Sequence, residues 1–155
     1  MHFPIIKLEP TFLDKEDWDV DLDYEDSTLN YHTDYYGEIY SDKERRGVIE
    51  SAWLKDLLDG IAIVDEEKEA IQLLDAETIR KTLQDYLVQL TARHAEEAKA
   101  GKLRESDVFC DMFYYKGYWA MFYLDRGYTS YEFVEDAAYY AGNVYRIGNI
   151  FDAHI

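Results

Sequence analysis

The chain has 155 residues, enough for one domain with its own core, and its 48% hydrophobic and 16% aromatic content argues against disorder. Its 33 acidic and 16 basic residues give a net charge of −17. This charge excludes a protein that binds nucleic acid by neutralising phosphates, and it disfavours docking on an anionic membrane. No apolar run approaches the ~20 residues of a membrane span, and the single cysteine permits no internal disulfide. We therefore expect a cytoplasmic protein.

The negative charge is concentrated near the N-terminus. Residues 1–44 contain 13 acids and 3 bases, a net of −10, whereas residues 45–104 contain 12 acids and 10 bases. Residues 105–155 contain 8 acids and 3 bases, together with most of the tyrosines. We therefore expect one domain over 1–155, with an acidic N-terminal portion (1–44) and an aromatic-rich C-terminal portion (105–155).

Two strands are predicted in the acidic portion. Residues 3–8 have the composition of a short strand, and Pro4 suits an edge or a first position. Residues 17–24 alternate strictly between acidic and apolar side chains, a pattern typical of a half-buried strand. Its expected inward residues are Trp18, Val20, Leu22 and Tyr24, and its outward ones are Asp17, Asp19, Asp21 and Asp23. Residues 25–40 are rich in turn-forming residues and end in an aromatic run that includes Tyr35 and Tyr36.

Capping signals predict three helices. Ser41 and Glu44 match a capping box that opens a helix over 42–58, and Asp75 suits the N-cap of a helix over 76–100. His94 falls on the apolar stripe of this second helix. Thr129 and Glu132 open a third helix over 130–141.

The remaining segments favour strands. Residues 61–64 and 71–74 are short apolar runs joined by an acidic turn, and 144–155 is a candidate final strand. Residues 107–124 fit either a hairpin or a helix, and we favour the hairpin because aromatics prefer strands and Gly117 opposes a helix. The expected fold is a single compact α+β domain, with a small, mostly antiparallel sheet and about three helices.

The acidic segment invites two functional interpretations besides a solvated edge strand that resists aggregation. A helix–loop–helix calcium loop needs Gly at position 6 and Glu at position 12, and loops that start at Asp17 or Asp19 have neither. A regular row of carboxylates on an extended scaffold instead resembles a nucleic-acid backbone to a basic groove. Its expected partner-binding residues are Asp17, Asp19, Asp21, Asp23, Glu25, Asp26, Tyr35 and Tyr36.

Catalytic and metal-binding patterns are sparse. His32 and Asp34 match the His-x-Asp half of an iron facial triad, for which His94 would be the distant third ligand. A two-residue match is common by chance, so we expect no metal and no cofactor. Cys110 has an acidic neighbour and no adjacent base, which is typical of a small core residue rather than a nucleophile.

These patterns favour a binding protein over an enzyme. We expect an acidic inhibitor that occludes a basic, nucleic-acid-handling protein such as a nuclease, in either an anti-defence or a toxin-immunity setting. Two alternatives stay open: a small carboxylate- or metal-dependent enzyme, and a structural or assembly subunit with an aromatic interface. A homo-oligomer is compatible with all three.

Overall fold

The fold is built around a mostly antiparallel sheet. The computed structural model describes residues 1–18, 21–22 and 26–155, apart from the side chains of residues 27, 30, 35 and 36. Within this part of the chain, seven strands form the compact α+β domain. The strands are β1 His2–Pro10, β2 Tyr35–Ile39, β3 Ala62–Asp65, β4 Ala70–Leu73, β5 Met121–Tyr123, β6 Gly127–Thr129 and β7 Val144–His154. The helices are α1 Ser27–His32, α2 Asp42–Ile49, α3 Ala52–Leu58, α4 Ala76–Lys99, α5 Glu105–Phe113 and α6 Ser130–Asp136.

The two longest strands form the centre of the sheet. The strand order is β3-β4-β7-β1-β5-β6, and β2 also pairs with β7. β1 lies antiparallel to β7 along almost its whole length and parallel to β5. The final strand and the β3–β4 hairpin expected from the sequence are confirmed. Pro4 is the third residue of β1 and not its first, and β1 is interior in the strand order. The pairing of β1 with β5 begins only at Ile5, so Pro4 itself pairs with β7 alone among the described strands.

Both faces of the sheet are covered, but unequally. The larger core packs helices α2, α3, α4 and α6 against one face of β1, where Ile6 and Leu8 point. The smaller core lies on the opposite face, where Phe3 and Ile5 of β1 meet Leu29 of α1. Because alternate residues of a strand point to opposite faces, Lys7 and Glu9 share the face of the smaller core.

Two expected helices are shorter or divided. The helix predicted over 42–58 consists of α2 and α3, because Ser51 accepts a hydrogen bond from the Leu54 amide and caps a new helix. The capping box at Ser41 is confirmed. The helix predicted over 130–141 ends at Asp136 and continues as a 3-10 turn, whereas α4 matches its prediction within one residue. The described helical segments exceed the three that were expected.

The hairpin predicted over 107–124 is wrong. Residues 105–113 form α5, whose first turn is closed by reciprocal contacts between Arg104 and Asp107. Phe109 and Phe113, four residues apart, have tilted rings with centroids 4.7 Å apart, a contact typical of the i, i+4 spacing of a helix. The hairpin of this region is instead β5–β6, a few residues later.

The strand predicted over 17–24 is wrong in the residues that the structure describes. Lys15–Asp17 form a 3-10 turn, and Trp18, Asp21 and Leu22 belong to no strand. Trp18 and Leu22 are nevertheless buried, while Asp17 and Asp21 are exposed, as the alternation predicted. The other four residues of the predicted strand lie outside the described residues.

Candidate acidic interface

The face of β1 that carries the smaller core changes from apolar to charged along the strand. Phe3 and Ile5 are followed by Lys7 and Glu9, and both charged side chains are only 7% exposed. Lys7 Nζ lies 3.5 Å from Glu9 Oε1 and donates a hydrogen bond to the Asp21 carbonyl at 3.4 Å. A buried charge needs a partner, so Lys7 and Glu9 hold each other in place on this face of β1.

Trp18 lies beside this pair, directly after the 3-10 turn Lys15–Asp17. Its side chain is buried, and the Arg45 guanidinium carbon lies 5.3 Å from its ring centroid. Arg45 is itself buried and donates to the carbonyls of Ile147 and Gly148 and to the Glu69 carboxylate. Trp18 therefore contacts the guanidinium of Arg45, which belongs to α2 and hydrogen-bonds to β7.

Lys7, Glu9 and Trp18 line a cleft of about 540 Å³, which we call the acidic cleft. Its other lining residues are Leu13, Glu16, Asp17, Tyr123, Leu124 and Asp125. Glu16, Asp17 and Asp125 are exposed, and none of them has an ion-pair partner in the described part of the chain. The lining cation, Lys7, is paired with Glu9, so the three exposed carboxylates give the cleft a net negative charge.

Two buried polar atoms beside the cleft lack hydrogen bonds. Neither the Glu9 Oε1 atom nor the Trp18 indole nitrogen has a hydrogen-bond partner among the described residues. Buried polar groups are almost always satisfied, and exceptions concentrate at sites where water or a ligand completes the bonding. One acceptor and one donor in the wall of the acidic cleft therefore receive no hydrogen bond from the described residues, although Glu9 Oε1 keeps its ion contact with Lys7.

A second cleft adjoins the first and is lined by tyrosines. This tyrosine cleft, of about 360 Å³, shares Glu9, Leu124 and Asp125 with the acidic cleft and adds Tyr140 and Tyr145. Tyrosine gives a large contact area with a polar tip and little rotamer entropy, so it is favoured at protein interfaces. Carboxylates and tyrosines thus form one continuous surface.

The expected partner-binding acids have different environments. Asp17 lines the acidic cleft and Asp21 is exposed beside it, whereas the Asp26 side chain bonds to backbone amides of the protein itself. One Asp26 oxygen accepts from the Leu29 amide and caps α1, and the other accepts from the Gly127 amide, each at 2.9 Å. Asp19, Asp23 and Glu25 lie outside the described residues, as do the side chains of Tyr35 and Tyr36 on β2.

The residues considered for a metal site have separate partners. His32 Nδ1 lies 3.3 Å from the Tyr114 hydroxyl, and the Asp34 amide donates to the His154 carbonyl. His94 Nε2 lies 2.7 Å from an Asp111 carboxylate oxygen, which also accepts from Arg93. In the described part of the chain, no group of three His, Cys, Asp or Glu residues is arranged to hold a metal ion. Cys110 is half-buried on α5.

Burial shifts the pKa values of His32 and Tyr128. Burial lowers the pKa of His32, and the nearby Glu132 carboxylate partly opposes this effect. Burial also raises the pKa of Tyr128, and its hydrogen bond with Tyr140 adds to the rise. The Tyr128 hydroxyl therefore stays protonated at neutral pH and donates to Asp125 at 3.2 Å.

Sequence reasoning missed several residues of the acidic cleft. Glu16 and Asp125 are far apart in the chain, and only the pairing of β5 with β1 brings the β5–β6 turn to the N-terminal segment. A signal existed for Glu9, because period-two alternation places it on the same face of the strand as Phe3 and Ile5.

Comparison with family models, curated proteins and solved structures finds no match for this chain. None of the helices in the described residues has the length and apolar character needed to cross a membrane.

Proposed function

We propose that this chain is an acidic protein-binding inhibitor that occludes a basic, nucleic-acid-handling protein by charge mimicry and without catalysis. A nuclease is the partner class we favour, in an anti-defence or toxin-immunity setting and in the cytoplasm. The observation that carries the proposal is the acidic cleft, where Glu16, Asp17 and Asp125 surround a concave surface whose lining cation, Lys7, is paired with Glu9.

The shape of this surface supports binding rather than simple solvation. Carboxylates that only keep a protein soluble need no concave arrangement, whereas a cleft lets a basic side chain contact several of them at once. The adjoining tyrosine cleft adds apolar contact area at the same place. Charge complementarity mainly sets the association rate, and buried aromatic contacts slow dissociation.

A defined polycation tests the charge requirement. The probe is a synthetic peptide of six Gly-Arg repeats carrying a fluorescent label, and its affinity is measured by fluorescence anisotropy at 50 and 200 mM NaCl. The test variant combines Glu16→Gln, Asp17→Asn and Asp125→Asn. We expect it to bind the peptide at least about tenfold more weakly at low salt, with a shallower salt dependence.

The matched control changes the same net charge elsewhere. It combines Asp34→Asn, Glu67→Gln and Glu105→Gln, three exposed acids that do not line the acidic cleft. We expect this control to bind the peptide within about twofold of the wild type, because distant exposed charges are screened. Equal weakening in both variants would show that only the net charge matters, and the proposal would be wrong.

Inhibition itself is tested by competition. A labelled single-stranded DNA oligonucleotide is first bound to the unlabelled Gly-Arg peptide, and the protein is then added. The wild type should release the oligonucleotide at lower concentration than the cleft variant. Release by both proteins at the same concentration would contradict mimicry centred on the acidic cleft.

A further inference from the structure

The longest helix has an unusual outer side. α4 spans 24 residues and packs inward through Ile79, Leu83, Tyr86, Leu90 and His94. At 3.6 residues per turn, a second line of side chains falls on the side opposite these residues. Its members, which we call the α4 outer face, are Glu77, Lys81, Gln84, Val88, Ala92, Ala95 and Lys99.

The middle of the α4 outer face is apolar although it faces solvent. Val88 is 60% exposed, and a shallow groove of about 400 Å³ runs along Gln84, Val88, Ala92 and Ala95. The solvent side of an amphipathic helix is normally charged, and here the charges occur only towards the two ends of the face. Small side chains at its centre permit close approach of another backbone.

The charge of α4 differs from that of the whole molecule. Its acids Glu77, Asp85, Glu96 and Glu97 are balanced by the bases Arg80, Lys81, Arg93 and Lys99, so its formal net charge is 4 − 4 = 0. The chain as a whole carries −17. Two copies of such an acidic protein repel least where they meet through a neutral surface. A basic partner, in contrast, gains nothing electrostatically from this face.

We propose that the α4 outer face is a homodimer interface in which two copies of α4 pack antiparallel, with the two-fold axis at Val88. Glu77 and Lys99 lie eleven residues before and after Val88, so antiparallel packing places Glu77 of one copy beside Lys99 of the other. The same arrangement places Lys81 beside Ala95 of the second copy, one residue before Glu96, and every contact occurs twice. Parallel packing would instead place each charged residue beside the identical residue of the second copy, where the two charges repel.

Existing ion pairs on α4 do not prevent this arrangement. Lys81 is 2.8 Å from Asp85, and Lys99 is 3.2 Å from Glu96, all on exposed side chains. Such exposed pairs contribute little and rearrange readily. In the dimer, the pair between Lys99 and Glu96 extends to Glu77 of the second copy, so the charges alternate in sign at each end of the interface.

Sedimentation equilibrium over a range of protein concentrations tests the dimer and its location. We expect a reversible monomer–dimer equilibrium in the wild type. Val88→Glu places two like charges at the two-fold axis and should weaken the dimer at least about a hundredfold. Ile63→Glu, a matched control at an aliphatic residue that is 57% exposed on β3, should leave it unchanged. A wild type that is monomeric at every concentration, or a dimer that survives Val88→Glu, would overturn the proposal.

Charge reversal tests the antiparallel register. Glu77→Lys and Lys99→Glu should each weaken the dimer about tenfold, because two symmetry-related contacts become repulsive. The double variant restores opposite charges and should recover most of the wild-type affinity. Single variants that weaken the dimer without rescue in the double variant would contradict the antiparallel register. Binding of the Gly-Arg peptide should not respond to any of these changes.

Discussion

At the scale of single residues, the acids of the N-terminal portion differ by their partners and not by their side-chain type. Asp17 is exposed at the acidic cleft, whereas Asp26 bonds two backbone amides and ties α1 to β6. Gly127 makes this contact possible, since a Cβ there would lie 2.8 Å from a Leu29 side-chain carbon. The sequence shows both aspartates in one acidic run, and it carries no local signal for the contact between Asp26 and the distant Gly127.

Asp26→Ala should therefore destabilise the protein. The change removes the cap of α1 and leaves the Gly127 amide without its partner, so we expect a loss of about 2 kcal/mol in the free energy of unfolding. Urea denaturation followed by circular dichroism measures this loss. Asp17→Asn is the matched comparison and should unfold within about 0.5 kcal/mol of the wild type. Equal stability of the two variants would contradict the internal role of Asp26.

His32 should make the stability of the protein depend on pH. Burial lowers its pKa in the folded state below the ordinary value of 6.5, so folding favours the neutral ring. The contribution of His32 to the free energy of unfolding is therefore fully present above pH 6.5, and it is lost as the pH falls through the lower pKa of the folded state. Thermal unfolding between pH 7.5 and 5.5 should show a steeper decline for the wild type than for His32→Asn. Parallel curves would rule out His32 as the source of the decline.

At the scale of secondary structure, local capping signals predicted the helices better than residue preferences predicted the strands. Asp75 and Thr129 both cap helices where expected, because a cap depends only on neighbouring residues. The aromatic residues of 107–124 favour a hairpin, yet residues 107–113 fold as part of α5. Contacts with α4, among them that between Asp111 and His94, are tertiary and override this weak preference.

The link between α4 and α5 predicts a local effect. Asp111 accepts hydrogen bonds from Arg93 and pairs with His94, and its side chain is only 14% exposed. Asp111→Ala should therefore loosen α5 and speed amide hydrogen exchange in residues 105–113, measured by mass spectrometry. Glu105→Ala, on the same helix but exposed, should change exchange less. Unchanged protection of α5 in Asp111→Ala would show that apolar packing alone holds the helix.

At the scale of the whole molecule, the sequence patterns predicted the α+β class and the composition predicted the acidic character, but neither predicted the acidic cleft. The class follows from the periodicity of segments, which is a local property. The cleft depends on long-range pairing, which brings Asp125 of the β5–β6 turn to Glu16 and Asp17. Single-sequence patterns carry no information about which turn meets which segment.

The net charge of −17 predicts that salt stabilises the folded protein while it weakens partner binding. Repulsion among carboxylates is screened as the Debye length falls from about 30 Å at 0.01 M salt to about 10 Å at 0.1 M. Screening also weakens the ion pairs, but most of these involve exposed side chains and contribute little each. We expect the melting temperature to rise by about 3 °C between 10 and 200 mM NaCl, a change that corresponds to roughly 1 kcal/mol in a domain of this size.

The variant that combines Glu16→Gln, Asp17→Asn and Asp125→Asn should melt at or above the wild-type temperature in 10 mM NaCl and should respond less to added salt. These three carboxylates have no ion-pair partners among the described residues, so neutralising them removes repulsion without breaking an ion pair. The amide oxygen introduced by Asp125→Asn can still accept the hydrogen bond from the Tyr128 hydroxyl. Differential scanning calorimetry of both proteins at pH 7.5 provides the comparison. A wild-type melting temperature that falls with salt would show that the ion pairs outweigh the repulsion. A variant that melts well below the wild type would mean that the acidic cleft serves the fold rather than a partner.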